Sequence, residues 1–307
     1  MTSWKIRVPA SSANLGPGFD ILGLALDCHL NLTVTPSDTF QLEVSGEGAH
    51  QVPTDESHLI VATAQEIAGD LAQNCHWKID SQIPMARGLG SSAAAIGAGL
   101  TAGFLLRDGS ISNRSELFKE LTCREGHGDN AAAAVYGGLQ FCFEEQGSGI
   151  TRKAIPCPQS LGVIVVIPEH ELATSKARAA LPVAHETSAV TTNMAALALL
   201  LRSMEESDTR LLSEACTDTM HEPYRLPLVP GLTEALCALR GDSHLLGSWL
   251  SGAGPTLASF AATSSFPELL KGNGVSSAVA ALEHCDIASR VLGLQVDHSG
   301  IQWEELT

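Results

Sequence analysis

The chain has 307 residues, 44% of them apolar, and a formal charge of −16. Its length suits two packed lobes, and its acidity excludes a nucleic-acid scaffold while leaving room for a nucleotide held in a local pocket of N–H groups. The eight cysteines include no C-x-x-C pair, which excludes a zinc ribbon or disulfide frame and leads to the expectation of reduced thiols in a cytoplasmic protein.

From the N-terminus, Met1 to Ile6 lacks the basic-then-apolar pattern of a secretory leader. No apolar run reaches the ~18 residues of a membrane span. Alternation of apolar and polar residues predicts strands over 5–10, 29–35 and 40–45. Leu59, Val61, Ala62, Ile67, Ala68 and Leu71 recur at helical spacing, which predicts an amphipathic helix over 57–73 before a strand over 75–80. A helix rich in Ala, Gly and Leu is expected over 91–106, a composition suited to close burial against a sheet. Asn113 is placed to cap a helix over 115–125, and Asp129 one through Ala131–Ala134. Gly137-Gly138 breaks the latter before a strand over 139–143, and the Gly-, Ser- and Pro-rich stretch 144–158 reads as a linker. Beyond it, the unbroken apolar run 161–167 predicts a buried strand. Helices are expected over 190–204, 210–219, 232–240 and 276–284, and strands over 245–250, 256–260 and 291–296. Without a regular βαβ period the expected fold class is α+β, not a doubly wound sheet.

The segment Pro84-Met85-Ala86-Arg87-Gly88-Leu89-Gly90-Ser91-Ser92-Ala93-Ala94 lies between a predicted strand and a predicted helix. Glycines let the backbone turn tightly against an anion, and a helix start offers free N–H groups and the positive end of its dipole. Two consecutive hydroxyls there can meet phosphate or a divalent cation. A structural glycine turn with serine caps would use the same residues. Gly88-x-Gly90-x-x-Ala93, with Asp108 about 20 residues on, also fits a relaxed dinucleotide fingerprint. The polar strand 76–80 and the place of Asp108 at a helix end count against that fit. A Walker A loop is excluded, because no lysine follows Gly90.

The same segment resembles the second motif of the GHMP kinases, the family of small-molecule kinases acting on galactose, homoserine and mevalonate. Val8-Pro9-Ala10-Ser11-Ser12-Ala13-Asn14-Leu15-Gly16-Pro17-Gly18-Phe19-Asp20 resembles the family's first motif, and Leu250-Ser251-Gly252-Ala253-Gly254-Pro255-Thr256 its third. Asn14 stands where sugar and mevalonate kinases carry a basic residue. With Glu125–Asn130, Lys176–Pro182 and His221–Arg225 it makes the chain similar to the homoserine kinase branch. The resemblance implies a two-lobed α+β fold. An ATP-binding lobe over 1–155 would resemble ribosomal protein S5 domain 2, with a left-handed βαβ crossover, and a lobe over 156–307 would be ferredoxin-like. It further implies ATP and Mg²⁺ as cofactors, L-homoserine as the acceptor in threonine synthesis, and a homodimer.

The resemblance also implies roles. Arg178 and Arg225 would meet the substrate carboxylate, for which guanidinium forks are suited in any case. Asp20, helped by Asn14, would meet the ammonium, and His127 and Asn130 the hydroxyl. Pro84, Arg87, Gly88, Leu89, Gly90, Ser91, Ser92, Ala93 and Ala94 would form the ATP loop. Ser92 and Glu125 would ligate Mg²⁺, with phosphate and water completing its shell. No general base is evident, so positioning by Asn130 and electrostatics are expected to carry the rate. Each residue has a structural alternative. Asp20 could serve a turn, Asp129 cap a helix, His127 pack as an imidazole, Glu125 pair with Arg124, and both arginines lie on the surface. Three positions depart from the family pattern: Gly128 where proline is usual, His58 where asparagine often borders the adenine, and Ala196 where the helix after Asn193 often carries arginine.

Overall fold

The structure, a computed structural model, describes residues 2–147 and 149–306. β1 (Ser3–Asn14) and β2 (Gly18–Pro36) form a long antiparallel hairpin, with Trp4 opposite Val34 and Ala13 opposite Gly23. Alternation marks only the outer half of β1, because Val8–Asn14 is buried throughout and carries no period of two. β4 (Cys75–Ser81) lies antiparallel to β2 and parallel to β3 (Gln41–Gly46), burying Cys75, Trp77 and Ile79 on one face. β5 (Leu139–Glu145) pairs with β2 and with β6 (Gly149–Ile155). The expected linker 144–158 is therefore largely a strand; β6 is half to fully exposed along its length, so no apolar pattern betrays it.

The helices α1 (Leu59–Ala68), α2 (Ser91–Asp108), α3 (Arg114–Glu125) and α4 (Asp129–Tyr136) belong to the same lobe, with α2 and α4 packed on β1 and β2. The predicted helix 57–73 is split: Gly69 ends α1, and a 3₁₀ turn follows over Gly69–Ala72. α2 is buried from Ile96 to Leu105, which its small residues permit. A Cβ on Gly99 or Gly103 would lie 2.6 Å from Ile60 O or 2.7 Å from Ile67 Cβ, so these glycines set how closely α1 approaches.

The chain leaves this sheet after Ile155 and enters the second lobe at β7 (Leu161–Pro168). Between β7 and β8 (Gly247–Leu250) run α5 (Thr174–Ala179), α6 (Thr187–Glu206), α7 (Leu212–Ala215), α8 (Glu222–Arg225) and α9 (Leu232–Arg240). β9 (Leu257–Ala262) follows, then α10 (Phe266–Leu269), α11 (Asn273–Glu283) and β10 (Ser289–Gln295). The antiparallel order β10-β7-β9-β8, with helical connections after the first and third strands, is the ferredoxin-like arrangement. The predicted helix 210–219 is reduced to a 3₁₀ turn and the single-turn α7. Asp218 instead fixes the turn that enters α8, accepting from the N–H groups of Met220, His221 and Glu222. Finally β11 (Gln302–Leu306) returns to pair with β1, completing a seven-stranded first sheet. A division of the chain at residue 155 leaves this strand on the far side of it.

β7 joins the lobes. Val163, Val165 and Ile167 enter a core continuous with β1, β2 and α2, while Ile164 and Val166 pack among Leu232, Leu236, Val275 and Leu282 of α9 and α11. Both faces are dry, hence the unbroken apolar run. No helix among the described residues is long and apolar enough to cross a membrane.

Candidate active site

β4 hands the chain through Pro84–Leu89 to α2, whose N-cap is Gly90 in the left-handed region at φ 69°. No side chain caps this end, so the first-turn N–H groups and the positive pole of an 18-residue helix stay available. The alternative of serine caps is thereby overturned. Ser92 Oγ donates instead to Glu125 Oε1 at 2.6 Å. Arg124 does not take Glu125; it pairs with Glu66 and Glu120.

The other two glycine motifs clamp the loop. Ser251 Oγ donates to Gly88 O at 2.6 Å, Thr256 N to Arg87 O at 3.2 Å, and Ser11 N to Leu89 O at 3.1 Å. Ser12 and Ser251 share a 2.7 Å hydroxyl contact beneath, which Trp249 Nε1 joins at 3.0 Å from Ser12 Oγ. The approach is close enough to demand glycine, since a Cβ on Gly88 would sit 2.2 Å from Ser251 O.

A cleft of about 620 Å³ opens between the lobes. Gly88, Gly90, Ser91 and Ser92 line it, as do Asn14, Asp20, Glu125, His127, Asn130, Arg178 and Arg225. Five residues of the expected ATP loop do not. Pro84, Leu89, Ala93 and Ala94 are buried beneath it, and Arg87 turns away to Pro168 O at 2.8 Å and Met85 O at 3.1 Å. Val44, Pro53, His58, Ile60, Ile79 and Ile96 give the cleft an apolar wall. Of these the sequence singled out only His58, because the others come one or two at a time from β3, β4, α1, α2 and a loop. His58 is buried and caps α1, its Nδ1 accepting from Ile60 N at 3.2 Å, and burial pushes its pKa down so that it stays a neutral acceptor.

Charges gather around Asn14 and Asp20. Asn14 Nδ2 donates to Gly252 O at 2.8 Å and its Oδ1 accepts from Asp20 N at 3.1 Å, fixing a turn in which both residues have positive φ. Arg178 grips Asp20 bidentately at 2.8 and 2.9 Å, and that bonding raises the guanidinium pKa. Arg225 is 2% exposed and bonds only carbonyls, Ala177 O at 3.4 Å and Gly252 O at 3.2 Å; burial lowers its pKa. Arg225 is therefore not a surface cation, whereas Arg178 stays exposed at the cleft and is tied down by Asp20.

The start of α4 corrects one expectation. Its N-cap is Gly128, and Asp129 is not a cap but a buried carboxylate. Asp129 Oδ1 sits 2.5 Å from His127 Nδ1 and accepts from Asn130 N at 2.7 Å; this bonding raises the His127 pKa. Asn130 Oδ1 in turn accepts from Ser11 Oγ at 2.8 Å. Glycine at 128 has a packing reason: a Cβ there would lie 2.8 Å from Ile150 Cγ2 and 3.1 Å from Cys142 Sγ.

Two lobes whose three glycine-rich segments interlock at one cleft define a GHMP-type kinase. The family model described as GHMP kinases N terminal domain matches residues 58–138. The homoserine kinase of Deinococcus radiodurans is 39% identical over 262 residues, 84% of each chain. That of Solibacter usitatus is 38% identical over 266 residues, 84% of this chain and 85% of the relative. The crystal structure of homoserine kinase from Cytophaga hutchinsonii shares the fold with a TM-score of 0.82 at 24% identity, covering 99% of this chain and 98% of that one. The chain belongs to the homoserine kinase family.

Proposed function

We propose that this protein transfers the γ-phosphoryl group of ATP to the side-chain hydroxyl of L-homoserine, giving O-phospho-L-homoserine and ADP for threonine synthesis. One observation carries this reading: a single cleft holds both a free helix start and, beside it, Asp20 with two guanidiniums. L-Homoserine is a zwitterion with a hydroxyl two carbons beyond Cα. Its carboxylate fits Arg178 and Arg225, and its ammonium fits Asp20. Binding exchanges the Asp20–Arg178 pair for one contact from each to the substrate, so every charge stays compensated. Mevalonate has no ammonium to offer Asp20.

The phosphates of ATP rest on Gly88, Gly90 and the first-turn N–H groups of α2, with the base against the apolar wall near His58. A hydroxyl and a carboxylate in contact at that helix start are hard oxygen donors of the kind Mg²⁺ takes, so Ser92 and Glu125 would hold it. When bound it supplies neutralising charge to the phosphate oxygens. Asn130, steadied by Ser11, holds the acceptor hydroxyl in line, and His127, steadied by Asp129, flanks it. No side chain is assigned as general base. The attacking oxygen gains little charge early in a loose phosphoryl transfer, so positioning carries the step. Assembly as a cytoplasmic homodimer belongs to the same proposal and rests on family resemblance alone.

Phosphorus NMR of a reaction with Mg·ATP and L-homoserine tests the reading. The expected product is a monoester coupled to the side-chain methylene protons. ATP turnover that ignores the acceptor, or phosphate elsewhere on it, contradicts the proposal.

A further inference from the structure

Phe19 stands between Asn14 and the functional charges yet has no role in the reading above. Its ring stacks on the imidazole of His221, with centroids 5.3 Å apart and planes inclined by 29°. The guanidinium carbons of Arg225 and Arg178 lie 4.9 and 5.8 Å from its centroid, inside the reach of a cation–π contact. One aromatic ring thus carries both cations of the proposed carboxylate site.

The surrounding charges show why such a ring is needed. Both oxygens of Asp20 are engaged by Arg178, so Arg225 is a buried cation whose hydrogen bonds go only to carbonyl groups. Burial is the main reason the Arg225 pKa is lowered, and the nearby Arg178 guanidinium adds repulsion that works against the favourable Asp20 charge. The negative π face of an aromatic ring offsets such a charge without competing for the N–H groups that a carboxylate must meet. His221 keeps the ring's surroundings neutral. It is fully buried, its Nε2 donates to Gly16 O at 3.0 Å in the same turn, and burial with the nearby Arg225 charge disfavours its protonation.

We propose that Phe19 is a positioning residue that holds the Arg178–Arg225 fork for the amino-acid carboxylate through its π face, setting affinity for the acceptor without touching the reacting atoms. This rests on the reading that the two arginines hold that carboxylate. Loss of the π contribution weakens acceptor binding about five- to thirtyfold.

The test replaces Phe19 in the full-length enzyme by mono-, di- and trifluorophenylalanine, which keep the ring's shape while draining its π face. KM for L-homoserine is expected to climb stepwise along the series, with kcat and KM for ATP staying within about twofold. Phe19→Leu raises the same KM, and Phe19→Tyr, which retains the π face, restores it. A flat KM along the fluorinated series overturns the proposal, as does a parallel loss of kcat and ATP affinity, the mark of a purely structural ring. Arg225→Lys separates the two failures. If it raises the acceptor KM while fluorination does not, Phe19 alone has been misassigned. If it leaves that KM unchanged, the carboxylate reading falls and the Phe19 role with it.

Discussion

Gly90 and Gly109 flank α2 with nearly the same backbone, φ 69° and 71°. Alanine at either position incurs the left-handed penalty of roughly 1–2 kcal/mol. There the likeness ends. Nothing lies within 4 Å of a Cβ added to Gly109, whereas one on Gly90 would sit 2.0 Å from Ser11 Oγ and 3.2 Å from Asn130 Oδ1. Ser11 must then swing away and give up its 2.8 Å bond to Asn130, leaving the buried Ser11 hydroxyl unpartnered at a further cost of about 1–3 kcal/mol. Gly109→Ala should therefore lose about 1–2 kcal/mol in urea unfolding with kcat unchanged. Gly90→Ala should lose about 2–5 kcal/mol and at least roughly tenfold in kcat by coupled ADP release, because the hydroxyl-orienting amide is no longer held. Equal stability losses in the two variants, or full kcat in Gly90→Ala, rule out the Ser11–Asn130 contact as a part of the catalytic geometry.

Ser92→Ala and Glu125→Gln should each raise the Mg²⁺ concentration for half-maximal activity by about 10–100-fold, and chelation should stop turnover until Mg²⁺ is restored; an unchanged Mg²⁺ titration places the ion elsewhere. Asn130→Ala should lower kcat about 10–100-fold with L-homoserine KM near normal, and full kcat removes Asn130 from the positioning role. Burial depresses the His221 pKa, so below its ordinary value near 6.5 the unfolded chain takes up a proton that the folded one refuses. Stability is therefore present above about pH 6.5 and lost as pH falls through the folded value, and His221→Gln should remove that part of the slope in pH-dependent urea unfolding. Identical slopes in the two proteins would mean that another group titrates there.

The site was legible where backbone contact dictates residue type. Gly88 and Gly90 leave no space for a Cβ, and Ser251 must reach Gly88 O, so those identities stand out along the chain. The apolar wall was not legible, since any medium-sized aliphatic residue satisfies it and its members are scattered. Strand prediction succeeded at one extreme of burial and failed at the other. β7 is dry on both faces, so its run marks a strand but not which residues meet which lobe. β6 is buried on neither face and β11 only slightly, so neither alternates. At Asp129 a cap and a partnered carboxylate share the same sequence position, and only the 2.5 Å contact with His127 tells them apart.

Acceptor choice follows from the charges gathered in the cleft. Coupled ADP release with Mg·ATP and, in turn, L-homoserine, L-threonine, mevalonate and galactose measures it directly. The charges of Asp20, Arg178 and Arg225 predict rapid turnover of L-homoserine, with mevalonate and galactose near background. No turnover of L-homoserine above background, or mevalonate turned over equally well, would contradict it.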